Sequence, residues 1–530
     1  MTCTARPRFG ATKFLRLASR ATLLGALTLL LAGCASLPKG FPRPTSTAWD
    51  RPQETRLGRA FADEVTNHPG SSGFHTLGSG MDAFLARMAL AQAAERTLDL
   101  QYYIFHADLT GKLILGAALE AAERGVRVRL LVDDTTAKGR DAGIAALSSH
   151  PLVEVRVFNP SAGRSSASWV FNAAGDFDRV NHRMHNKMLV ADNQAAIIGG
   201  RNIGDEYFGA EEDVNFADMD LIAVGPVVQD LSRSFDLYWN SEWAYPIEAF
   251  RTTGDAAALR KGLEDLRAHR TATADSEYAK RLRESDLRRQ LLDREVAFVW
   301  APAQVLVDRP EKVAGDESPV EVVKLATRLK PRVENAGTEV IISSPYFIPG
   351  KSGMRLFRQL REKGVRVRII TNSFAGNDVA VVHSGYAQYR KDLLRLGVEL
   401  FELKPSLGAT GRKSAFGSSG VSLHAKVFVV DRGQVFVGSL NLDPRSVDLN
   451  TELGVVVESQ ALADEIARKL ETLFRPTLSY RLSLEGTDNH LVWTAEADGK
   501  EVRYTRDPEV GAWRRFTTWL MSAFAPESML

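Results

Sequence analysis

One nine-residue stretch occurs twice in this chain. Met184-His185-Asn186-Lys187-Met188-Leu189-Val190-Ala191-Asp192 and Leu423-His424-Ala425-Lys426-Val427-Phe428-Val429-Val430-Asp431 both read H-x-K-x-x-x-x-D, and their histidines lie 239 residues apart. The same offset relates Gly199 to Gly438, Asn202 to Asn441, and Gly125-Val126-Arg127-Val128-Arg129 to Gly364-Val365-Arg366-Val367-Arg368. Matches held at one offset over that span mark a unit used twice. The chain is therefore constrained to two similar domains, and its 530 residues suffice for two full-sized cores.

Apolar periodicity supplies the elements. In the first unit it predicts a helix over Met81 to Ala94, a strand over Leu98 to Phe105, a helix over Gly111 to Arg124 closed by Gly125, and a strand over Val126 to Val132. Strand, helix, strand in that order is a βαβ unit and implies a parallel sheet. The second unit opens with Ser318-Pro319-Val320-Glu321, which reads as a capping box. It continues with a strand over Val340 to Ser344, a helix over Met354 to Lys363 closed by Gly364, a strand over Val365 to Thr371, a helix over Tyr386 to Leu396 and a strand over Val398 to Leu403. The fold class is α/β: two similar domains, 71–247 and 296–477, joined by a charged helical linker at 248–295 and followed by a segment at 478–530. That segment reads as a hairpin through Asp498-Gly499 and an amphipathic helix, with Val510, Trp513, Phe516, Leu520 and Phe524 on one face and Arg514 and Arg515 on the other. Contact with a membrane surface and docking on the protein's own core both suit such a helix. Long Gly/Ser-rich loops precede each motif, at 159–181 and 405–422, and their Trp169, Val170, Phe171 and Phe416 suit either lipid contact or loop packing.

The run after each motif Lys is strand-like, so His185 and Lys187, two apart, belong on one face of a strand, as do His424 and Lys426. Asp192 and Asp431 have the wrong parity for that face and fall where the strand turns. We read them as structural, capping the turn or pairing with a buried cation. Asn202 and Asn441 each follow their His by 17 residues. Acidic residues come later, Asp218 after His185 and Glu452 after His424, with Asp220 a rival to Asp218. A carboxylate on the far nitrogen of an imidazole fixes its tautomer and raises its basicity. Two imidazoles, two ammonium groups and two amides brought together across a pseudo-two-fold axis suit a phosphodiester. One neutral His attacks phosphorus, and the other, protonated, gives its proton to the leaving alkoxide, both states being accessible near neutral pH. Lys187, Lys426, Asn202 and Asn441 stabilise charge on the non-bridging oxygens. This chemistry needs no metal and no cofactor.

At the N-terminus, Arg6, Arg8, Lys13, Arg16 and Arg20 precede an uncharged apolar run from Ala21 to Gly33 that is too short to cross a bilayer comfortably. Residues 1–33 read as a secretory signal and 34–70 as a tether rich in Pro, Gly and Thr. An uncleaved anchor helix is the other reading, and either one places the body outside the cytoplasm. Cys3 and Cys34 are the only cysteines, so a body without residues 1–33 has neither a disulfide nor a thiolate metal site. A formal net charge of +2 gives no electrostatic reason to expect nucleic acid as a partner.

The duplicated motif, together with Gly438-Ser439-Leu440-Asn441 and Asn450-Thr451-Glu452, resembles the phospholipase D superfamily over about residues 70 to 475. Leu98-Asp99-Leu100-Gln101-Tyr102-Tyr103, Gly200-Arg201-Asn202-Ile203-Gly204-Asp205-Glu206-Tyr207-Phe208 and Asn441-Leu442-Asp443-Pro444-Arg445-Ser446 resemble its bacterial cardiolipin synthase branch, the type C members in particular. Leu31-Ala32-Gly33-Cys34 resembles the lipobox of bacterial lipoproteins. The resemblance implies phospholipase D-like α/β/α sandwich domains with the active site at their interface, and a covalent phosphohistidine on His185 with His424 as acid and base. It implies phosphatidyl transfer to phosphatidylglycerol from phosphatidylglycerol or phosphatidylethanolamine, the type C strings favouring the latter donor. It further implies acylation of Cys34, a membrane-anchored protein facing the periplasm, and a small companion protein. Ala35 and Ser36 after the Cys favour the outer membrane over the inner one. Gly200 stands where the other half has Ser439, so a hydroxyl contact to phosphate is expected in one half only. Hydrolysis, by a phospholipase D or a nuclease of the same superfamily, and a non-catalytic envelope scaffold are the competing functions. Transfer requires that water be kept from the intermediate, which no sequence displays. The lipobox argues against a nuclease, and complete motifs in both halves argue against a scaffold.

Overall fold

The computed structural model describes residues 37, 40–137, 147–161, 179, 181–211, 214–250, 256–293, 295–318, 321–377, 379–405 and 420–522. The signal and lipobox with Cys34, the loop residues Trp169, Val170, Phe171 and Phe416, Pro319 and Val320 of the expected capping box, and Phe524 lie outside them. Among the described residues no helix is long and apolar enough to cross a membrane.

Ten strands come from the first half: β1 (Ser72–Leu77), β2 (Thr97–Tyr102), β3 (Arg127–Asp133), β4 (Val153–Phe158), β5 (Met188–Ala191), β6 (Ala195–Gly199), β7 (Val214–Ala217), β8 (Asp220–Val224), β9 (Ala244–Pro246) and β10 (Val299–Ala301). The second half supplies β11 (Ala303–Val307), β12 (Glu339–Ser343), β13 (Arg366–Asn372), β14 (Glu399–Leu403), β15 (Gly420–Leu423), β16 (Val427–Val430), β17 (Gln434–Gly438), β18 (Leu453–Glu458), β19 (Ser479–Glu485), β20 (His490–Ala497) and β21 (Lys500–Tyr504). They form two large sheets, ordered β10-β1-β8-β6-β5-β2-β3-β4-β9 and β11-β18-β17-β16-β12-β13-β14-β19-β20-β21. The runs β8-β6-β5-β2-β3-β4 and β18-β17-β16-β12-β13-β14 correspond one to one, so the duplication is visible as topology. A two-stranded sheet of β7 and β15 stands apart; within the two large sheets only β2-β3-β4 and β12-β13-β14 are parallel, as the βαβ order requires. The remaining pairs are antiparallel because hairpins follow each motif, so the sheets are mixed rather than wholly parallel.

Alternation along the strands assigns the faces. Leu189, Ala195 and Ile197 pack with the helices Gly80–Ala93 and Leu109–Glu123 on one side of the first sheet. Val190, Ala196 and Ile198 face the helix Pro226–Trp239 and, beyond it, β16, β17 and β18 and the helix Gln460–Leu473 of the second half. One apolar core thus runs across the domain interface, which makes the two domains one packed body. Gly125 and Gly364 close their helices with φ of +96° and +81°, the left-handed backbone the sequence pattern implied.

Several expected boundaries shift. β10, placed by sequence in the second domain, pairs with β1 and completes the first sheet. The charged linker is helical, over Ala256–Thr273, Glu277–Arg283 and Asp286–Asp293, but it packs on the first domain. Arg267 meets Glu123 at 2.8 Å, and the buried Tyr278 hydroxyl donates to Phe208 O. The tether is pinned from residue 43 onward, because Arg43 donates to the carbonyl of Glu242 and because Arg129 and Arg156, buried within β3 and β4, donate to the carbonyls of Ser46 and Pro44. The second unit's helix starts at Leu325 rather than at a Ser318 capping box. Residues 321–324 are not helical, and the cap is supplied from outside by Asp308 Oδ1, which accepts from Leu325 N. The expected Tyr386 to Leu396 helix is two short ones, Ala380–Ala387 and Arg390–Arg395. Residues 478–504 extend the second sheet as β19, β20 and β21, with Asp498 and Gly499 at positive φ in the predicted turn. The helix Ala512–Ser522 docks through its basic side. Arg514 donates to the carbonyls of Ala375 and Asn377, while Trp513 and Phe516 are 75% and 51% exposed. Unmet carbonyls at the end of β13 outbid the apolar face for the docking side.

Candidate active site

His185 and Lys187 are not on a strand. They occupy the extended approach to β5, and His424 and Lys426 occupy the gap between β15 and β16. The reason is a crossing of the two halves: His185 N donates to Thr451 O at 2.9 Å and His424 N to Ala217 O at 2.8 Å, each in the other domain. β7 and β15 pair in parallel beside this crossing, and Met184 bridges Thr451. Each motif is therefore pulled off its own ladder onto its neighbour's backbone. Lys187 Nζ and Lys426 Nζ then turn back to donate to the carbonyls of His185 and His424.

The orienting acids cross as well, contrary to the pairing within each unit that the sequence order suggested. His185 Nδ1 meets both oxygens of Glu452 at 3.0 and 3.1 Å, and His424 Nδ1 meets Asp218 Oδ2 at 2.6 Å. Asp220, the rival, is committed elsewhere, paired with Arg87 at 3.0 Å and Arg201 at 3.4 Å. With Nδ1 engaged on both rings, Nε2 is the reactive position, and no described residue bonds it.

The other predicted residues divide. Asp192 accepts from the N–H groups of Glu95, Arg96 and Thr97, and Asp431 from those of Gly337, Thr338 and Glu339, all at 2.7–2.9 Å. They fasten the end of each motif strand to the start of its neighbour, β2 or β12, rather than capping their own turns or pairing with a cation. Asn441 has no hydrogen-bonding partner among the described residues, and its buried Oδ1 is unsatisfied. Asn202 is not its equal: Nδ2 donates to Tyr207 Oη at 2.8 Å and Oδ1 accepts from Ile104 N, so its amide is already spent. Ser439 does not face a phosphate site, since its hydroxyl donates to Glu452 Oε2 and accepts from Leu453 N. At Gly200 a Cβ would lie 2.3 Å from Asp218 Oδ1, which is why no serine occurs there.

Burial governs the electrostatics. It drives the His185 imidazole down to about 4 and His424 to about 3, with the ammonium groups opposing protonation and Glu452 and Asp218 favouring it. Lys187 is likewise pulled well below the ordinary lysine range. In this setting both imidazoles are neutral near pH 7, unlike the ready acid and base expected from the sequence. A phosphodiester entering the site brings negative charge that favours uptake of a proton by one imidazole.

Sequence reasoning missed an inner ring of residues. Tyr103 stands edge-on to His185 with ring centres 5.1 Å apart, and Tyr207 and Phe216 flank His424 at 5.2 Å. Asp133 Oδ2 accepts from Met184 N at 2.9 Å, and Asn372, 239 residues later, accepts from Leu423 N at 2.8 Å. The repeat offset alone could have found that pair. Asp308 accepts from Glu452 N and Lys312 Nζ and so fixes the acid behind His185.

Residues 88–239 and 329–474 match the family described as "Cardiolipin synthase, PLD-like domain". The chain is 39% identical to cardiolipin synthase C of Escherichia coli, over 90% of this chain and all of that one. It is 31% identical to an uncharacterized protein of Helicobacter pylori, over 91% of this chain and 94% of that one. Among solved structures, phosphatidylserine synthase of Haemophilus influenzae superposes with a TM-score of 0.55 at 14% identity, covering 90% of this chain and all of that one. That likeness establishes the fold. Duplicated α/β domains that share two H-x-K segments at one interface define a phospholipase D-type phosphatidyltransferase. Within that class, the chain belongs to the cardiolipin synthase family of PLD-like proteins.

Proposed function

We propose that the protein makes cardiolipin by passing a phosphatidyl group through a phosphohistidine to the free primary hydroxyl of phosphatidylglycerol. The crossed carboxylate–histidine pairs carry this reading. They leave two Nε2 atoms, one from each domain, for a single phosphorus, and in this reading Lys187, Lys426 and the amide of Asn441 hold its oxygens. The Nε2 lone pair of His185, the nucleophile by resemblance, forms the N–P bond. The P–O bond to the departing alcohol breaks, and that alkoxide takes the proton of His424. In the second half-reaction the acceptor hydroxyl returns a proton to His424 while its oxygen displaces His185 from phosphorus. One phosphodiester replaces another, so no activated donor is consumed. Phosphatidylethanolamine is the donor we favour, and the headgroup leaves as ethanolamine.

The lipid substrates place the enzyme at a membrane surface, and we propose that acylation of Cys34 anchors it there, facing the periplasm, on the outer membrane by preference. Incorporation of labelled palmitate into the wild type but not into Cys34→Ala tests the anchor. A small companion protein remains part of the reading, testable by co-purification with the tagged enzyme.

The test of the reaction is mass spectrometry of lipids after incubating the full chain with vesicles of phosphatidylglycerol and headgroup-labelled phosphatidylethanolamine. Cardiolipin with released labelled ethanolamine, absent with His185→Ala and with His424→Ala, is expected. Phosphatidic acid without cardiolipin would make water the acceptor and the enzyme a hydrolase.

A further inference from the structure

A phosphatidyl acceptor that is itself a phospholipid brings a second anion. The attacking hydroxyl of phosphatidylglycerol sits on a glycerol whose far end bears a phosphodiester. While Lys187 and Lys426 hold the reacting phosphorus, that second phosphate must lie one glycerol away, at the edge of the same cleft. A cation serving it would have no carboxylate partner in the protein.

Arg445 meets this description. It is half-buried, and its one side-chain hydrogen bond among the described residues is from Nη2 to the carbonyl of Asn181 at 3.1 Å, on the segment leading into His185. Among the described residues no carboxylate pairs with it. Asp443, two residues before it, is fully buried, turns Oδ1 to Ser446 N at 2.8 Å, and is pushed up to about 7 by that burial, so it is at best a partial counter-ion. The charges of Arg445 and Arg183 are felt at the hydroxyl of Tyr103, whose ring is the one edge-on to His185. Arg183, by contrast, is taken up by Asp133 at 3.5 Å and by the carbonyls of Asn159 and Arg179. The guanidinium left without an anion is the one bonded to the backbone of the segment that leads into His185.

The duplication supplies an independent comparison. Ile203 and Leu442, 239 residues apart, make the same isolated bridge in each half, to Phe105 and to Phe347. Three residues beyond them stand Glu206 and Arg445, so equivalent places carry opposite charge. Glu206 is turned to His106, 3.3 Å away. An anionic group is therefore welcome on one side of the pseudo-two-fold axis and repelled on the other.

We propose that Arg445, held against the carbonyl of Asn181, is a second anion subsite that binds the phosphodiester carried by the acceptor lipid and thereby separates the acceptor side of the site from the donor side. A planar guanidinium grips a phosphate through two N–H groups at once, which orients the attached glycerol as well as attracting it. The proposal rests on the phosphatidyltransferase reading above.

The experiment compares two acceptors in the full-length enzyme, with phosphatidylethanolamine vesicles as donor: phosphatidylglycerol, read as cardiolipin, and 1-butanol, which carries no phosphate, read as phosphatidylbutanol. Arg445→Ala is expected to lower cardiolipin formation about tenfold to a hundredfold, as fits loss of a charged hydrogen bond, mainly through the KM for phosphatidylglycerol. Phosphatidylbutanol formation stays within about twofold of the wild type, and Arg445→Lys recovers part of the loss. An equal fall in both products would show that Arg445 supports the donor site or the fold, and unchanged cardiolipin formation would show that it binds nothing. Either result overturns the subsite. A wild type that makes phosphatidylbutanol but no cardiolipin would instead overturn the function on which the subsite rests.

Discussion

For His185 the orienting acid is a glutamate of the other half braced by the hydroxyl of Ser439, and the strand behind the motif ends in a buried carboxylate, Asp133. For His424 the acid is the shorter Asp218 of the other half with a glycine packed against it, and the corresponding strand ends in the amide of Asn372. The framework is common to both: a histidine, a lysine folded back on its carbonyl, and a backbone hydrogen bond into the other domain. The neighbours differ. A transfer reaction gives its two imidazoles different tasks, one to bond phosphorus and one to move a proton, and a perfectly symmetric site would offer no means of choosing. The departures from two-fold symmetry are where such a choice can be encoded.

The largest effect expected is at the histidines. His185→Ala and His424→Ala should each lower transfer from natural lipids by about 10³-fold or more. A phosphodiester with a nitrophenol leaving group separates them, because such a group departs without a proton. His424→Ala should then still accumulate a phosphoenzyme, detectable on His185 by mass spectrometry, whereas His185→Ala should not. A label on His424 would reverse the roles of the two halves.

Next come the acids. Glu452→Gln and Asp218→Asn should lower kcat by about a hundredfold, as loss of an orienting partner does. Because the pairs are crossed, Glu452→Gln should reproduce the His185 variant in the nitrophenol assay and Asp218→Asn the His424 variant. The opposite correspondence would mean that each acid serves its own half.

A smaller effect is thermodynamic. Both imidazoles are held below their unfolded value of 6.5, at about 4 and about 3. Below pH 6.5 the unfolded chain takes up protons that the folded chain refuses, so stability falls with pH, by about 1.4 kcal/mol per unit for each such group. The loss runs from about pH 6.5 to about 4 for His185 and on to about 3 for His424, and stops once the folded group also titrates. Urea unfolding at pH 7, 6 and 5 should show this slope, and His185→Gln or His424→Gln should make it shallower. An unchanged slope in both variants would mean that the imidazoles are not kept neutral by burial.

The smallest effect separates the asparagines. Asn202→Ala leaves the hydroxyl of Tyr207 and the N–H of Ile104 unmet and should cost about 1–3 kcal/mol in thermal unfolding. Asn441→Ala should leave the melting temperature in place and lower transfer instead. Equal losses of stability would remove this part of the asymmetry.

The duplication was legible because a fixed offset survives wherever both copies need the same residue, and with it came the α/β class and the parallel βαβ units. The wiring was not. Spacing within a copy put Glu452 near His424, yet its partner is His185, 267 residues away in the other copy, and no local pattern records which copy a side chain faces. The same limit applies to β10, whose three residues read as part of the domain that follows them but close the sheet that precedes them. The docking side of the C-terminal helix was left open for another reason. A helical wheel ranks faces by hydrophobicity, whereas the docking side is set by Ala375 and Asn377, whose carbonyls need the donors of Arg514.

The crossing of the acids makes the catalytic unit a dimer written into one polypeptide. A site assembled in this way from separate subunits would come apart on dilution, and its output would fall with more than the first power of protein concentration. Here one half is presented to the other at an effective concentration set by the chain and by their shared core. Turnover per molecule is then the same whether the membrane holds many copies or a few.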